Sequence, residues 1–237
     1  KTLVLLDAHA VLHRAYHALP PLTSPDGMPT GALYGFASML LKIIRELKPD
    51  YIAACFDFHA PTFRHKKFKE YKANRPHAPE ELYSQIPKVK EVLKSFGVPI
   101  FEKEGFEADD IIGTIVKKIG TRAKKIIVTG DMDTLQLVDG ATSVFTLKRG
   151  VTDTILYDRT MVEEKFGFGP ELVIDYKGLR GDPSDNIPGV AGVGDKTARE
   201  LIVKFGAIEN IYKHLDKLSP RARARLEGHK KEALLSR

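Results

Sequence analysis

The chain has 237 residues, 43% of them apolar, with 37 Lys and Arg against 31 Asp and Glu for a formal charge of +6. This is enough for one large domain or a domain with an appendage, and enough to bury a substantial core. A single cysteine, Cys55 in the apolar run YIAACFD, excludes an internal disulfide, while no apolar run reaches the roughly 20 residues of a membrane helix and no signal peptide opens the chain. The expected location is therefore the reducing cytoplasm. A start at Lys1 and a stop inside the helical pattern KKEALLSR suggest a piece of a longer protein.

In chain order, TLVLLD (Thr2 to Asp7) predicts a buried parallel strand ending in an acid, the position where α/β folds place ligand chemistry. AHAVLHRAYHAL then predicts a helix with His9, His13 and His17 on one stripe. Without a cysteine partner these imidazoles argue for a half-buried face rather than zinc. Arg14, near Asp7, is a candidate phosphate contact. Pro20 to Pro29 is turn chemistry, Gly31 to Leu47 has helical spacing, and YIAACFD repeats the first strand, ending in Asp57.

Between Arg64 and Arg75, six of twelve residues are Lys or Arg, interleaved with Phe68 and Tyr71. Such a run is commonly a solvated helix face. Cations that track phosphates and rings that stack on bases also suit a single nucleic-acid strand. The segment at 61–80 reads as an arch that orders on binding, with Arg64, Lys66, Lys67 and Lys69 as contacts. Glu80 to Phe96 predicts a helix bent at Pro87, and Val98 to Phe101 a short strand.

GFEADDIIGT opens the densest stretch of chemistry. Glu107, Asp109 and Asp110 sit at a helix mouth, where the macrodipole favours acids without any metal. Lys125 to Thr129 predicts a strand, followed by Asp131 and Asp133. Five carboxylates crowded beside apolar segments repel one another, and a hard divalent cation is the usual reason to assemble them. Strands alternating with helices to this point predict an α/β fold, a mostly parallel central sheet flanked by helices.

Beyond residue 158 the pattern is helical, at Arg159 to Phe166 and Pro170 to Leu179. The loop RGDPSDNIPGVAGVGDKTARELI adds Asp182 and Asp185, then Gly189, Gly192 and Gly194 before a helix starting near Asp195 with Lys196 and Thr197. Glycines at a helix entrance let backbone N–H groups approach an anion, although glycines also simply make turns. Between two helices they read as a helix-hairpin-helix at about 170–206, a sequence-tolerant and salt-sensitive DNA contact. The tail from Ser219 predicts a basic helix. The chain thus divides into an α/β core at 1–157 and a helical subdomain at 158–237.

Taken in order, LLD at Asp7, FD at Asp57, EADD at 107–110, TGDMD at 129–133, GDPSDN at 181–186 and GVAGVGDKTA at 189–198 resemble the 5′ nuclease, or flap endonuclease, superfamily. The likeness is to the 5′–3′ exonuclease part of bacterial DNA polymerase I, and includes HALPPL and FRxxxFxxYKxxRP. The resemblance implies a PIN-like core, with hydrolysis of DNA at 5′ flaps and 5′ ends using two or more Mg²⁺ or Mn²⁺ ions. It places Asp7, Asp57, Glu107, Asp109, Asp110, Asp131, Asp133, Asp182 and Asp185 on the acidic motif positions. The arch cations of the family map to Lys72 and Arg75, with Tyr71 beside them. It further implies K⁺ at the hairpin, a monomer acting on strand junctions, and a polymerase domain after the nuclease. Two departures are Ala8 where relatives usually have Gly, and Met132 where they usually have Lys.

Two rival readings carry their own tests. DMDT after an apolar run resembles the nucleophile motif of haloacid-dehalogenase-type phosphatases, which would be shown by a trapped phospho-aspartate. A DNA-binding module with a decayed core would bind DNA without metal and cleave nothing, but its acid set should be incomplete.

Overall fold

The computed structural model describes residues 1–149 and 153–237. Its first strand, β1 (Thr2–Asp7), buries Val4, Leu5, Leu6 and Asp7, as a near-continuous apolar run requires when both faces of a sheet are covered. Asp7 then caps α1 (Ala8–Ala18), its Oδ1 accepting the N–H of Ala10 at 3.0 Å.

The next helix, α2 (Gly31–Leu47), turns Ala32, Phe36, Met39, Leu40 and Ile43 inward at helical spacing and packs on α1. Gly35 permits the approach, because a Cβ there would lie 2.8 Å from the Cβ of Ala15. Each large buried side chain of this face, Phe36, Met39, Leu40 and Ile43, contributes about 1.5–3 kcal/mol, so Phe36→Ala is among the changes that would cost most.

The parallel ladder is extended by β2 (Tyr51–Phe56), followed by α3 (Phe63–Lys67). The helical pattern after Pro79 splits into α4 (Glu80–Tyr83) and α5 (Ile86–Ser95). Pro87 sits in the first turn of α5, where its missing N–H costs no hydrogen bond. Then come β3 (Ile100–Glu102), α6 (Ala108–Ile119) and β4 (Lys124–Val128).

Two strands absent from the sequence prediction follow, β5 (Thr142–Arg149) and β6 (Asp153–Tyr157). The sheet order is β3-β2-β1-β4-β5-β6, all parallel except β6, which runs antiparallel to β5. The expected mostly parallel sheet flanked by helices is present.

Residues Lys1–Phe63 with His77–Asp158 make one compact unit, and Arg64–Pro76 with Arg159–Arg237 a second. The second holds α7 (Arg159–Phe166), α8 (Val173–Arg180), α9 (Asp195–Phe205), α10 (Ile208–Lys213), α11 (Pro220–Leu226) and α12 (Lys230–Ser236). The single basic tail helix is therefore two short ones. Within this unit α8 packs on α9 and α12, and the rings of Phe166, Phe168 and Tyr176 lie 5.6–5.7 Å apart.

Chain order groups the arch with the α/β core, but its bonds run to the helical unit. The N–H of Lys72 donates to the carbonyl of Asp185 at 2.9 Å, Asn74 Nδ2 to Pro183 at 2.8 Å, and Asn186 Nδ2 to Glu70 at 2.7 Å. Lys72 and Asn186 both take positive φ, 57° and 58°, to make this junction. None of the described helices is long and apolar enough to cross a membrane.

Candidate metal and DNA site

Five parallel strands end at one edge of the sheet, so residues just past each C-terminus share that edge. Asp7 ends β1, Asp57 follows β2, the acids of α6 follow β3, and Asp131 and Asp133 follow β4. Strand order reverses between β1 and β4, which opens the crevice where such sheets bind ligands.

Thr129 stitches this crevice. Its hydroxyl donates to Asp7 Oδ2 at 2.7 Å, and its oxygen accepts the Asp131 N–H at 2.9 Å. Burial pushes the Asp7 carboxyl up to about 6, the charges of Asp57 and Asp131 add to this, and the bonds from Ala10 and Thr129 offset part of it. Burial, then the charges of Asp7 and Asp109, push the Cys55 thiol up to about 12. Asp109 therefore belongs to the same focus, and Cys55 is a core residue beneath it.

On the β2 side, Asp57 Oδ1 accepts the Ala108 N–H at 2.7 Å, tying two loops together. Glu107 and Asp110 form a capping box, each side chain accepting the other's backbone N–H. On the β4 side, Asp131 Oδ1 accepts the Asp133 N–H at 2.8 Å and caps a short 3₁₀ turn. Behind Asp57, His9 Nδ1 accepts the Asp57 N–H at 3.1 Å. Burial holds this imidazole below its usual pKa, so the 3.8 Å approach of Nδ1 to Asp57 Oδ2 is contact with a neutral ring, not an ion pair.

The remaining two acids belong to the helical unit. Asp182 accepts from Lys177 Nζ at 2.5 Å and from the hydroxyl and N–H of Ser184. Burial opposes its charge, but the bonds from Lys177 and Ser184 outweigh burial and hold its carboxyl below the usual range. Asp185 pairs with Arg75, accepts from the Tyr71 hydroxyl at 3.2 Å and lies 3.9 Å from Lys72 Nζ. Tyr71, expected beside the substrate, is 5% exposed.

In the hairpin, Gly189 has φ 63°, and a Cβ there would lie 2.2 Å from the Gly181 nitrogen, so no side chain fits. Gly192 has φ 76° beside the Arg225 side chain, whereas a Cβ on Gly194 would meet nothing within 4 Å. Lys196 is exposed and Thr197 half-buried in the first turn of α9. Lys66, Lys67 and Lys69 are exposed, and Arg64 and Arg14 half-buried.

Among the described residues, no three His, Cys, Asp or Glu side chains converge as a ready-made metal cluster. The donor chemistry at the sheet edge nevertheless fits a hard divalent ion. It consists of carboxylate oxygens, and Asp7 resists ionising without a compensating positive charge. An ion that retains much of its hydration shell suits acids spaced in this way.

Residues 2–167 match the family described as 5′-3′ exonuclease, N-terminal resolvase-like domain, and residues 168–237 match 5′-3′ exonuclease, C-terminal SAM fold. The chain belongs to the 5′–3′ exonuclease family. It is 41% identical to a 5′-3′ exonuclease of Aquifex aeolicus, over 94% of this chain and 77% of that one. It is 44% identical to DNA polymerase I of Caldicellulosiruptor bescii over 99% of its own length, yet spans 28% of that relative. Its fold matches a bacteriophage T5 flap endonuclease, solved as a pseudo-enzyme-product complex with DNA and metal ions, with TM-score 0.82 and 22% identity over 100% of this chain and 87% of the other.

In this family member Asp7, Asp57, Glu107, Asp109, Asp110, Asp131 and Asp133 lie along the carboxyl edge of the sheet, while Asp182 and Asp185 fall on the other unit with Tyr71, Lys72 and Arg75. Thr129, which opens the TGDMD motif, and His9, on the histidine stripe, hold acids of this edge in place, a role the sequence reading did not assign to them. Each lies two residues from an acid of this edge, Thr129 from Asp131 and His9 from Asp7.

Proposed function

We propose that this exonuclease hydrolyses DNA phosphodiesters at 5′ ends and 5′ flaps with divalent cations, Mg²⁺ or Mn²⁺, held at the carboxyl edge of its sheet. The observation that carries the reading is the assembly of buried Asp7 with Asp57, Asp131 and the acids of α6 at the strand-order reversal. Asp7, Asp57, Glu107, Asp109, Asp110, Asp131 and Asp133 hold the ions directly or through water. When bound, such ions lower the pKa of the attacking water and stabilise the charge that develops on the phosphoryl and leaving oxygens.

The residues of the chain supply the remaining work. Thr129 and the backbone N–H groups of Ala10, Ala108 and Asp133 fix the carboxylates in place. Lys72 and Arg75 take the scissile phosphate in exchange for Asp185, with Tyr71 holding that carboxylate and Arg14 a further phosphate contact. Asp182 and Asp185 serve an outer cation, which would compete there with Lys177 and Arg75. The hairpin glycines, Lys196 and Thr197 bind backbone phosphates, with K⁺ as a bridging ion, and Arg64, Lys66, Lys67 and Lys69 track the single strand. We further propose a monomer in the bacterial cytoplasm, at the nucleoid, that forms the nuclease part of a DNA polymerase I and removes primers and flaps in replication and repair.

The test is cleavage of a 5′-labelled flap duplex with Mg²⁺, with EDTA, and with Mg²⁺ plus Asp131→Ala. Mg²⁺-dependent release of the flap that is lost in the variant supports the reading. Binding without cleavage, or cleavage by both Asp131→Ala and Asp109→Ala, overturns it.

A further inference from the structure

The rings that composition offers for stacking are withdrawn from solvent, since Tyr71 is buried against Asp185 and Phe68 is half-buried. Five phenylalanines of the α/β unit are exposed instead: Phe96, Phe101 and, beside the acidic edge, Phe58 at 40%, Phe63 at 36% and Phe106 at 39%. Phe63 and Phe106 form a pair with ring centroids 5.9 Å apart, inclined by 53°. The N–H of Phe63 donates to the Gly105 carbonyl at 3.1 Å, which holds the two segments together. Lys103 Nζ stands over the Phe106 ring, 5.2 Å from its centroid.

These rings lie at the rim of the acidic edge. Phe58 directly follows Asp57, and Phe106 directly precedes Glu107, the cap of α6. The bond from the Ala108 N–H to Asp57 Oδ1 ties the two loops to each other. Rings kept in water forgo burial, which they would regain under another flat apolar surface. An ammonium on the same ring adds a phosphate partner beside that surface, the combination that binds single-stranded nucleic acid.

We infer that Phe63 and Phe106, with Lys103, form a stacking platform for an unpaired nucleobase of the DNA strand beside the acidic edge. The inference rests on the nuclease reading above. The two are positioning residues: they set which nucleotide of the unpaired strand lies next to the carboxylates. Because every base has a π face, the platform tolerates any sequence.

The test is equilibrium binding by fluorescence anisotropy in EDTA, so that the readout needs neither metal nor turnover. The ligands are a labelled 5′-flap duplex and a series in which one abasic site is walked through the flap and junction. Phe63→Leu/Phe106→Leu is expected to bind the intact flap about 10-fold more weakly than the parent chain. One abasic position should weaken the parent chain by a similar factor and the double variant no further, and Phe106→Trp in the Phe63→Leu background should restore affinity. An equal loss on intact and abasic flaps at every position, or no loss at all, overturns the platform. Cleavage by the parent chain in Mg²⁺ is measured in parallel. Cleavage without the abasic signature refutes the platform alone, and the signature without cleavage refutes the nuclease reading alone.

Discussion

Thr129 and Asp7 share a hydrogen bond of 2.7 Å from the threonine hydroxyl to Oδ2, across the crevice where the sheet order reverses. The same hydroxyl oxygen receives the Asp131 N–H, so one small side chain sets the spacing of two acids from two strands. Thr129→Val keeps the shape and removes both bonds. We expect flap cleavage to fall about 10–100-fold, as for loss of a residue that orients a metal ligand, and stability to fall by about 1–3 kcal/mol. Flap kinetics at saturating Mg²⁺ and a urea titration check the two effects separately, and unchanged cleavage would remove Thr129 from the site.

Asp7 makes the metal-free protein sensitive to pH. Its folded carboxyl titrates near 6 against 3.8 ordinarily, so the folded state binds a proton that the unfolded state has released. Its contribution to stability is fully present below about pH 4 and is lost as pH rises through about 6, a change of roughly 3 kcal/mol. Asp7→Asn should therefore raise the melting temperature in EDTA at pH 7.5 by a few degrees while abolishing cleavage. Thermal scans of both proteins from pH 4 to 8 test this, and a lower melting temperature for the variant across that range would contradict it.

Asp185 anchors the arch through Tyr71, Lys72 and Arg75. Arg75 is largely exposed, so solvent screening leaves each pair worth about 1 kcal/mol or less. Removal of their shared partner in Asp185→Ala releases all three together. Limited trypsin digestion should then cut between Arg64 and Arg75 several-fold faster than in the parent chain. An unchanged digestion pattern would show that the bonds from the Lys72 N–H and the Asn74 and Asn186 side-chain amides suffice.

Two hairpin glycines should respond differently to alanine. Gly189 combines positive φ with backbone 2.2 Å from any Cβ, so Gly189→Ala should cost more than about 2 kcal/mol. Gly194 has open space and φ −88°, so Gly194→Ala should leave stability within about 0.5 kcal/mol. If DNA phosphate approaches this backbone, Gly194→Ala will still weaken flap binding at low salt. Equal stability losses in both variants would refute this account of the turn.

Most of the core was legible because its causes are local. The apolar runs of β1 and β2, the helical stripe of α2 and the acid at each strand end are periodic signals within a few residues of each other. The Glu107–Asp110 capping box is likewise written in its three-residue spacing. The segment around β5 and β6 carries only short apolar stretches, Val144–Phe145 and Ile155–Leu156–Tyr157 between polar residues, and relies on the edge of an existing sheet for pairing.

The sequence by itself determined the α/β alternation, the acids and the order in which they occur, since these depend on side-chain type and short-range spacing. Tertiary structure alone decided which acids meet. It buried Asp7 and shifted its protonation, joined the Thr129 hydroxyl to Asp7 on a different strand, and matched Arg75 and Tyr71 with Asp185 more than a hundred residues away. Desolvation and long-range pairing are properties of the assembled chain, and no window of residues contains them.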